Sequence, residues 1–484
     1  MTLPLKRPEL LSPAGTLKAM RHAFLYGADA VYAGLPKYSL RVRNNTFSKD
    51  NALAVGIAEA HSLGKKLFVA ANLFPHNNKI KSFIADMEPI VELNPDGLIM
   101  ADPGLIMLVR ERWPDLPVHL SVQMNTMNYQ SVKFWQSIGI KRIILSRELS
   151  LDEVERIRQE CPDIELEVFV HGALCIAYSG RCLLSGYFTH RDANQGTCTN
   201  TCRWKYSASD AEESEEGDIV RSGSEAIAQT IVRSSSEAIA QTIVRSGSEA
   251  IAQTILPKGA LERPQLFSET GQARHPEADK VYFLEEEQRK GELMPVFEDE
   301  HGTYIMNSKD LRAIEHVDRL VKMGIDCLKI EGRTKSHYYV ARTAQAYSKA
   351  IDLAMTGKPL DPGLIGVLEN LANRGYTDGF YQRHHTAEHQ KYIVGATQSR
   401  KQMFVGEAVG REGDDLIIQV KNHFEVGNRL EFSLPNGQSR DIILTEMRDA
   451  KTNQPVTAAL GSAYVVRIAA GDIEGDTVLI SKYL

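Results

Sequence analysis

Over the first 200 residues, short apolar runs rich in Val, Ile and Ala alternate with stretches of helical periodicity. The runs are "ELLSPAG" (9–15), "ADAVYAG" (28–34), "KLFVAAN" (66–72), "GLIMAD" (97–102), "VHLSVQMN" (118–125), "RIILSREL" (142–149) and "LEVFVHG" (166–172), with "CLKIEGR" (327–333) following after a long gap. Continuous apolar runs between amphipathic helices point to βαβ units and a parallel sheet. Eight of them predict a (β/α)8, TIM-like barrel in preference to an open doubly wound sheet.

The C-terminal end of each run is its polar end. The runs close on Ser12, Asn72, Asp102, Gln123 with Asn125, Ser146-Arg147-Glu148, His171, and Glu331 with Arg333. In such barrels the active site lies on that face, built from the loops that follow the strands. Strand ends are also polar because loops are wet. Against that plain reading stand two charged clusters, "SRELS" (146–150) and "EGRTK" (331–335).

The pattern divides the chain into a barrel with a helical extension (1–204 and 301–395), an insertion (205–300) and a C-terminal domain (400–484). The insertion carries a tandem repeat, "VRSGSEAIAQTI" (220–231), "VRSSSEAIAQTI" (232–243) and "VRSGSEAIAQTI" (244–255). This period matches no common solenoid unit. An acidic lead-in and small polar residues predict a flexible surface excursion without an assigned function. Residues 337–375 read as helical, with a capping Gly357 after "HYYVARTAQAYSKAIDLAMT". From 402 onwards, short alternating strands between Gly, Asn and Asp turns predict a small all-β barrel.

Composition narrows the function. The 484 residues are 43% hydrophobic and 24% charged, with a net charge of -6. No apolar run is long enough to span a membrane, and the N-terminus lacks the apolar core of a secretion signal, so a cytoplasmic protein without a membrane partner is expected. The acidic balance leaves no chain-wide basic field for nucleic acid; a local patch remains open.

Cysteine use is the sharpest signal. Four of the 6 cysteines, Cys175, Cys182, Cys198 and Cys202, fall just after the seventh run. In a reducing compartment, clustered cysteines suit a metal or a catalytic role. Cys161 and Cys327 flank strand starts and are expected at the opposite end of the barrel. The spacing fits an iron–sulfur cluster or, less regularly, a four-cysteine zinc site, and leaves the two unresolved.

The segment Glu167-Val-Phe169-Val-His-Gly172-Ala-Leu-Cys175, followed by Gly180-Arg-Cys182-Leu-Leu-Ser185, resembles the signature of the U32 family, once catalogued as collagenase-like peptidases. Other blocks, among them "YSLRVRNN", "NQGTCTNTCRW" and "EDEHGTYIMNSKDLRAIEHV", are similar to its prephenate-dependent tRNA hydroxylase branch. The resemblance implies a TIM-like barrel and a 4Fe–4S cluster on Cys175, Cys182, Cys198 and Cys202. It also implies oxygen-independent conversion of the wobble uridine to 5-hydroxyuridine, with prephenate as oxygen donor. The implied partners are a tRNA anticodon loop and the iron–sulfur assembly machinery. The repeat has no counterpart in this resemblance.

A dicarboxylate donor needs cationic partners, for which Arg41, Arg43, Arg147, Arg181 and Arg333 are candidates; each could equally be a rim ion pair, as Arg147–Glu148 and Glu331–Arg333 suggest. His171, Glu148 and Glu331 are the candidate catalytic groups, His171 as a proton donor or as a hydrogen-bond partner of a cluster sulfur. Tyr32, Tyr38 and Trp204 could stack on a base, or simply belong to the core. A peptidase is the rival reading: His171 and Cys175 lie four apart, but no Asn or Asp frame and no H-E-x-x-H motif accompany them. A non-enzymatic iron–sulfur scaffold is the third.

Overall fold

The structure is a computed structural model. It describes residues 5–172 except 35–37, 40–45, 48–50 and 76; 310–382 except 333–334, 372, 374 and 380; and 402–484 except 462–463, 470–472 and 474–476. Between 173 and 309 it describes only strand residues, all named below.

Eight parallel strands form a closed barrel: β1 (Glu9–Pro13), β2 (Ala30–Gly34), β3 (Lys66–Ala71), β4 (Gly97–Met100), β5 (Val118–Leu120), β6 (Arg142–Ile144), β7 (Glu165–Gly172) and β8 (Cys327–Ile330). Each pairs with the next, and β8 closes the ring by pairing Cys327 with both Glu9 of β1 and Glu167 of β7. All eight apolar runs therefore become barrel strands. They read continuously because their outward residues pack under helices while inward residues fill the barrel.

Helices α1 (Leu17–Leu25), α2 (Ala52–Ser62), α3 (Asn77–Val91), α4 (Pro103–Arg112), α5 (Tyr129–Ser137) and α6 (Leu151–Glu160) follow strands β1 to β6. Several polar residues at the strand ends start these helices. Asp102 accepts from the Leu105 amide, and Ser150 and Glu153 form a reciprocal capping box at α6. After β7 the chain returns through α7 (Val317–Lys322) to β8, and α8 (His337–Met355) packs across α1. The expected helical stretch 337–375 is two helices. Gly357 at φ +68 ends the first, and Asp361 caps α9 (Pro362–Glu369).

Within 205–300 the sequence predicted a flexible excursion. Its described parts are instead the strands Tyr206–Glu213, Ile219–Arg221, Val281–Glu286 and Leu293–Asp299, which with Gly302–Ile305 just beyond it form a five-stranded antiparallel sheet. Short apolar runs rich in β-branched and aromatic residues, "VYFLEE" and "LMPVFED", carried that signal, beside a repeat and an acidic lead-in that dominate the composition. Beyond Arg221 the repeat lies outside the described residues.

The C-terminal domain is an eight-stranded antiparallel sheet, central on Gln402–Glu412, Asp415–Val420 and Leu479–Tyr483, around its own core of Val405, Ile418, Phe432 and Ile480. It is fixed to the barrel through α1 and α8. Arg342 reaches Glu431 at 2.9 Å and the Ser433 hydroxyl at 2.7 Å, and Tyr338 stacks on Phe404 at 4.4 Å. Among the described residues no helix is long and apolar enough to cross a membrane.

Candidate active site at the barrel mouth

Alternation along β7 places Glu167, Phe169 and His171 on one face, stacked from the middle of the barrel to its C-terminal mouth. Glu167 is fully buried and takes the Lys329 ammonium at 2.7 Å. Below it, Arg142 reaches Glu9 at 2.6 Å, Glu165 at 2.8 Å and Glu167 at 3.4 Å, and Lys66 pairs with Glu9 at 2.8 Å. Three carboxylates thus face three cations in a ladder reaching from the N-terminal rim to beneath the mouth. Burial pushes the Glu9 carboxyl up, but Arg142 and Lys66 hold it below the usual carboxylate range.

Above the ladder lies an aromatic floor. The Lys329 ammonium is 4.5 Å from the Tyr32 ring centre and 5.3 Å from that of Phe169. The Arg147 guanidinium lies 3.8 Å from the centre of the same Phe169 ring and reaches Glu331 at 3.1 Å. Arg147 therefore pairs across the mouth with Glu331 and not with its neighbour Glu148, which accepts from the Ser146 hydroxyl. The expected Arg147–Glu148 rim pair is replaced by this pair across the mouth, both residues lying in the turn that follows β6.

His171 is walled in by Tyr376, Tyr347 and Tyr339, with ring centres at 5.4, 5.5 and 5.8 Å. Its Nδ1 lies 3.3 Å from the Tyr347 hydroxyl, which donates to the Val170 carbonyl at 2.7 Å and accepts from the Ala313 amide at 3.2 Å. With that hydroxyl proton committed, the arrangement puts the imidazole proton on Nδ1 and leaves a lone pair on Nε2. Nε2 is buried and has no hydrogen bond among the described residues. Burial first, then the charges of Arg312 and Lys335, lowers the imidazole pKa to about 3, so the ring is neutral at physiological pH. Such a ring offers an acceptor to whatever lies above it; as a proton donor it has only the Nδ1 hydrogen.

The next residue, Gly172, has φ +108, and a Cβ there would stand 2.5 Å from the Glu331 carbonyl oxygen. Glycine is required, and the close approach seats the end of β7 on Glu331 at the point where the cysteine-bearing excursion begins. Ser12 Oγ, Thr126 Oγ1 and Arg147 Nε, also at this end, are buried without a hydrogen bond among the described residues. Beside the mouth, a cavity of about 490 Å³ opens at the start of α6, walled by Tyr381, whose hydroxyl donates to the Phe169 carbonyl at 2.6 Å. Of the groups lining it, Arg319 is already paired with Asp152 and His316 with Asp378.

Of the residues singled out in the sequence, His171, Arg147, Glu148 and Glu331 gather at this mouth. Arg41, Arg43, Arg333, Cys175, Cys198, Cys202 and Trp204 lie outside the described residues. Arg181 and Cys182 are placed by backbone alone, in a short strand antiparallel to Ala177–Tyr178. Cys161 and Cys327 are free, buried thiols, and Cys327 opens β8 beside Glu9, at the far end from the mouth. Tyr32 and Tyr38 are core residues whose hydroxyls bond the Ile330 carbonyl and Asp86, so neither is a stacking platform. The sequence reading missed Lys329, Arg142 and the tyrosine cage; a lone Lys inside the apolar run "CLKI" was the available sign of the first.

The model of peptidase family U32 matches residues 15–241 and 268–391, and that of the U32 C-terminal domain matches 400–479. The unmatched interval 242–267 includes the third repeat copy. The tRNA hydroxylation protein P of Escherichia coli is 54% identical over 461 residues, covering 95% of this chain and 93% of the relative. Its Haemophilus influenzae namesake is 52% identical, covering 95% and 92%. The 23S rRNA 5-hydroxycytidine C2501 synthase of Escherichia coli is 38% identical over 210 residues, 43% of this chain and 31% of the relative. A solved U32 peptidase aligns with 34% of this chain and 69% of its own, at 15% identity and a TM-score of 0.29, too slight a likeness to carry weight. On the family matches and the two near-full-length relatives, the chain belongs to peptidase family U32.

Proposed function

We propose that this protein is a tRNA hydroxylase that converts the wobble uridine to 5-hydroxyuridine without molecular oxygen. The observation that carries the reading is identity above one half, over 95% of the chain, with a tRNA hydroxylation protein. That a further relative is named for 5-hydroxycytidine synthesis favours hydroxylation at a pyrimidine C5. A cytoplasmic enzyme is expected, loaded by iron–sulfur assembly machinery.

In this reading Cys175, Cys182, Cys198 and Cys202 hold a 4Fe–4S cluster. Their excursion leaves the barrel at its reactive face, directly after Gly172, while Cys161 and Cys327 are buried elsewhere. The cluster supplies one-electron transfer, which protein side chains cannot. Arg147 presents a guanidinium to a carboxylate of the oxygen donor, for which prephenate is the proposed identity, and Glu331 and the Phe169 ring hold that guanidinium in orientation. Arg41, Arg43, Arg181 and Arg333 are the further candidate cations. His171 Nε2 accepts a hydrogen bond from substrate or from the cysteine-bearing loop. The base reaches the mouth unstacked from the anticodon loop, as chemistry on a nucleobase requires.

The peptidase reading fares worse. A catalytic thiol needs a His oriented by a third polar group and able to take its proton. His171 is held by Tyr347, not by a carboxylate, and burial opposes its protonation.

The test is biochemical. Protein purified without air should contain about four iron atoms per chain. It should hydroxylate undermodified tRNA only when prephenate is present, and Cys175→Ser should lose both the iron and the activity. Stoichiometric zinc in place of iron, hydroxylation that ignores prephenate, or peptide cleavage by the iron-loaded protein would each overturn a named part of the proposal.

A further inference from the structure

Away from the mouth, the seam between barrel and C-terminal domain brings together His22 of α1, His337 at the start of α8 and Glu407 of the strand Gln402–Glu412. One ligand atom from each lies within 4.8 Å of the other two. We propose that this triad is a divalent-metal site, suited to zinc, that pins the C-terminal domain to the barrel.

The donors are presented as a metal site requires. His22 Nδ1 lies 2.9 Å from the Lys18 carbonyl and donates to it, which fixes the tautomer and turns the Nε2 lone pair outward. Burial lowers the pKa of His22, so the ring stays neutral and able to ligate. His337 Nε2 is buried and lies 2.9 Å from Glu407 Oε2. The two imidazoles meet edge to face at 4.8 Å between centres.

Glu407 divides its work between its two oxygens. Oε1 receives the ammonium groups of Lys18 and Lys421, while Oε2 faces His337. Both lysines repel a cation, and Lys18 is exposed enough to swing away when one arrives. Two imidazoles and one carboxylate make a three-ligand set for zinc, with water completing a tetrahedron. The three ligands come from two barrel helices and one C-terminal strand, so occupancy ties the domains together.

The experiment uses the full-length protein with its cysteines intact and its cluster loaded. Wild type, His22→Gln, His337→Gln and Lys18→Met are equilibrated with Zn²⁺, and bound zinc and the unfolding midpoint are measured. Wild type should hold one zinc per chain beyond its iron, with a raised midpoint, and both His variants should lose that zinc and the rise. Because every protein carries the same cysteines, thiol-bound zinc cancels between them. Lys18→Met should bind zinc more tightly than wild type, since a competing ammonium is gone. Equal zinc uptake by wild type and the His variants overturns the site. So does a Lys18→Met protein that is less stable and binds no more tightly, because the triad is then an ion-pair cluster only.

Discussion

From the N-terminal end up to the middle of the barrel, Arg142 is held by Glu9, Glu165 and Glu167, and Lys329 by Glu167. At the C-terminal mouth, by contrast, Ser12, Thr126, Arg147 and His171 keep polar atoms buried without a hydrogen bond among the described residues. His119, whose Nδ1 is equally bare beside the ladder, is the exception at the closed end. An unsatisfied buried polar group costs about 1–3 kcal/mol. One end of the barrel thus satisfies its charges internally, and the other carries groups that a ligand would complete. Function is expected where satisfaction is withheld.

The largest effect should come from breaking the closed end. Glu167→Ala leaves Lys329 buried without its partner and should cost about 3–5 kcal/mol in denaturant unfolding. Glu167→Met with Lys329→Met removes both charges and should recover most of that loss. A single-variant cost below about 1 kcal/mol would mean that the ladder is not a coupled buried network.

The mouth can be sharpened through pH. An unfolded histidine titrates at about 6.5; in the fold, burial lowers the His171 pKa to about 3. Between those values the unfolded chain binds the extra proton. The stability due to a neutral His171 is therefore complete above the unfolded pKa and falls as pH drops toward the folded one, by at most about 1.4 kcal/mol per unit. Burial lowers His119 in the same direction. Urea unfolding between pH 5 and 7.5 should show this slope, and His171→Phe should flatten it; an unchanged slope would place the titration elsewhere.

Arg147→Lys separates function from stability. It keeps the charge but loses the planar stack on Phe169, so the KM for the anionic donor should rise about tenfold. The cost in stability should stay below about 1 kcal/mol. A stability loss without a KM change would make Arg147 a rim ion pair. Deleting 232–255, two of the three repeat copies, should matter least. Halving a loop changes closure by only about 0.6 kcal/mol, and tRNA modification should be unaffected.

The barrel was legible because parallel strands buried on both faces are written as unbroken apolar runs, and all eight were found in place. The exclusion of Cys161 and Cys327 followed from the same order, since residues at strand starts sit at the closed end. What stayed hidden was pairing across the barrel. Nothing near Arg147 in the chain announces Glu331, and Glu167 reads as a signature residue, not as the counter-ion of Lys329. The cage round His171 draws Tyr347, Tyr339 and Tyr376 from a helix and a strand more than 160 residues away. The seam of His22, His337 and Glu407 is likewise a product of domain docking, which no local pattern encodes.

The most direct measurement is mass spectrometry of tRNA nucleosides from an air-free culture lacking this gene, complemented with wild type or with Cys175→Ser. The account predicts that 5-hydroxyuridine and its derivatives disappear on deletion and return with wild type alone. Unchanged nucleosides after deletion, or full rescue by Cys175→Ser, would contradict it.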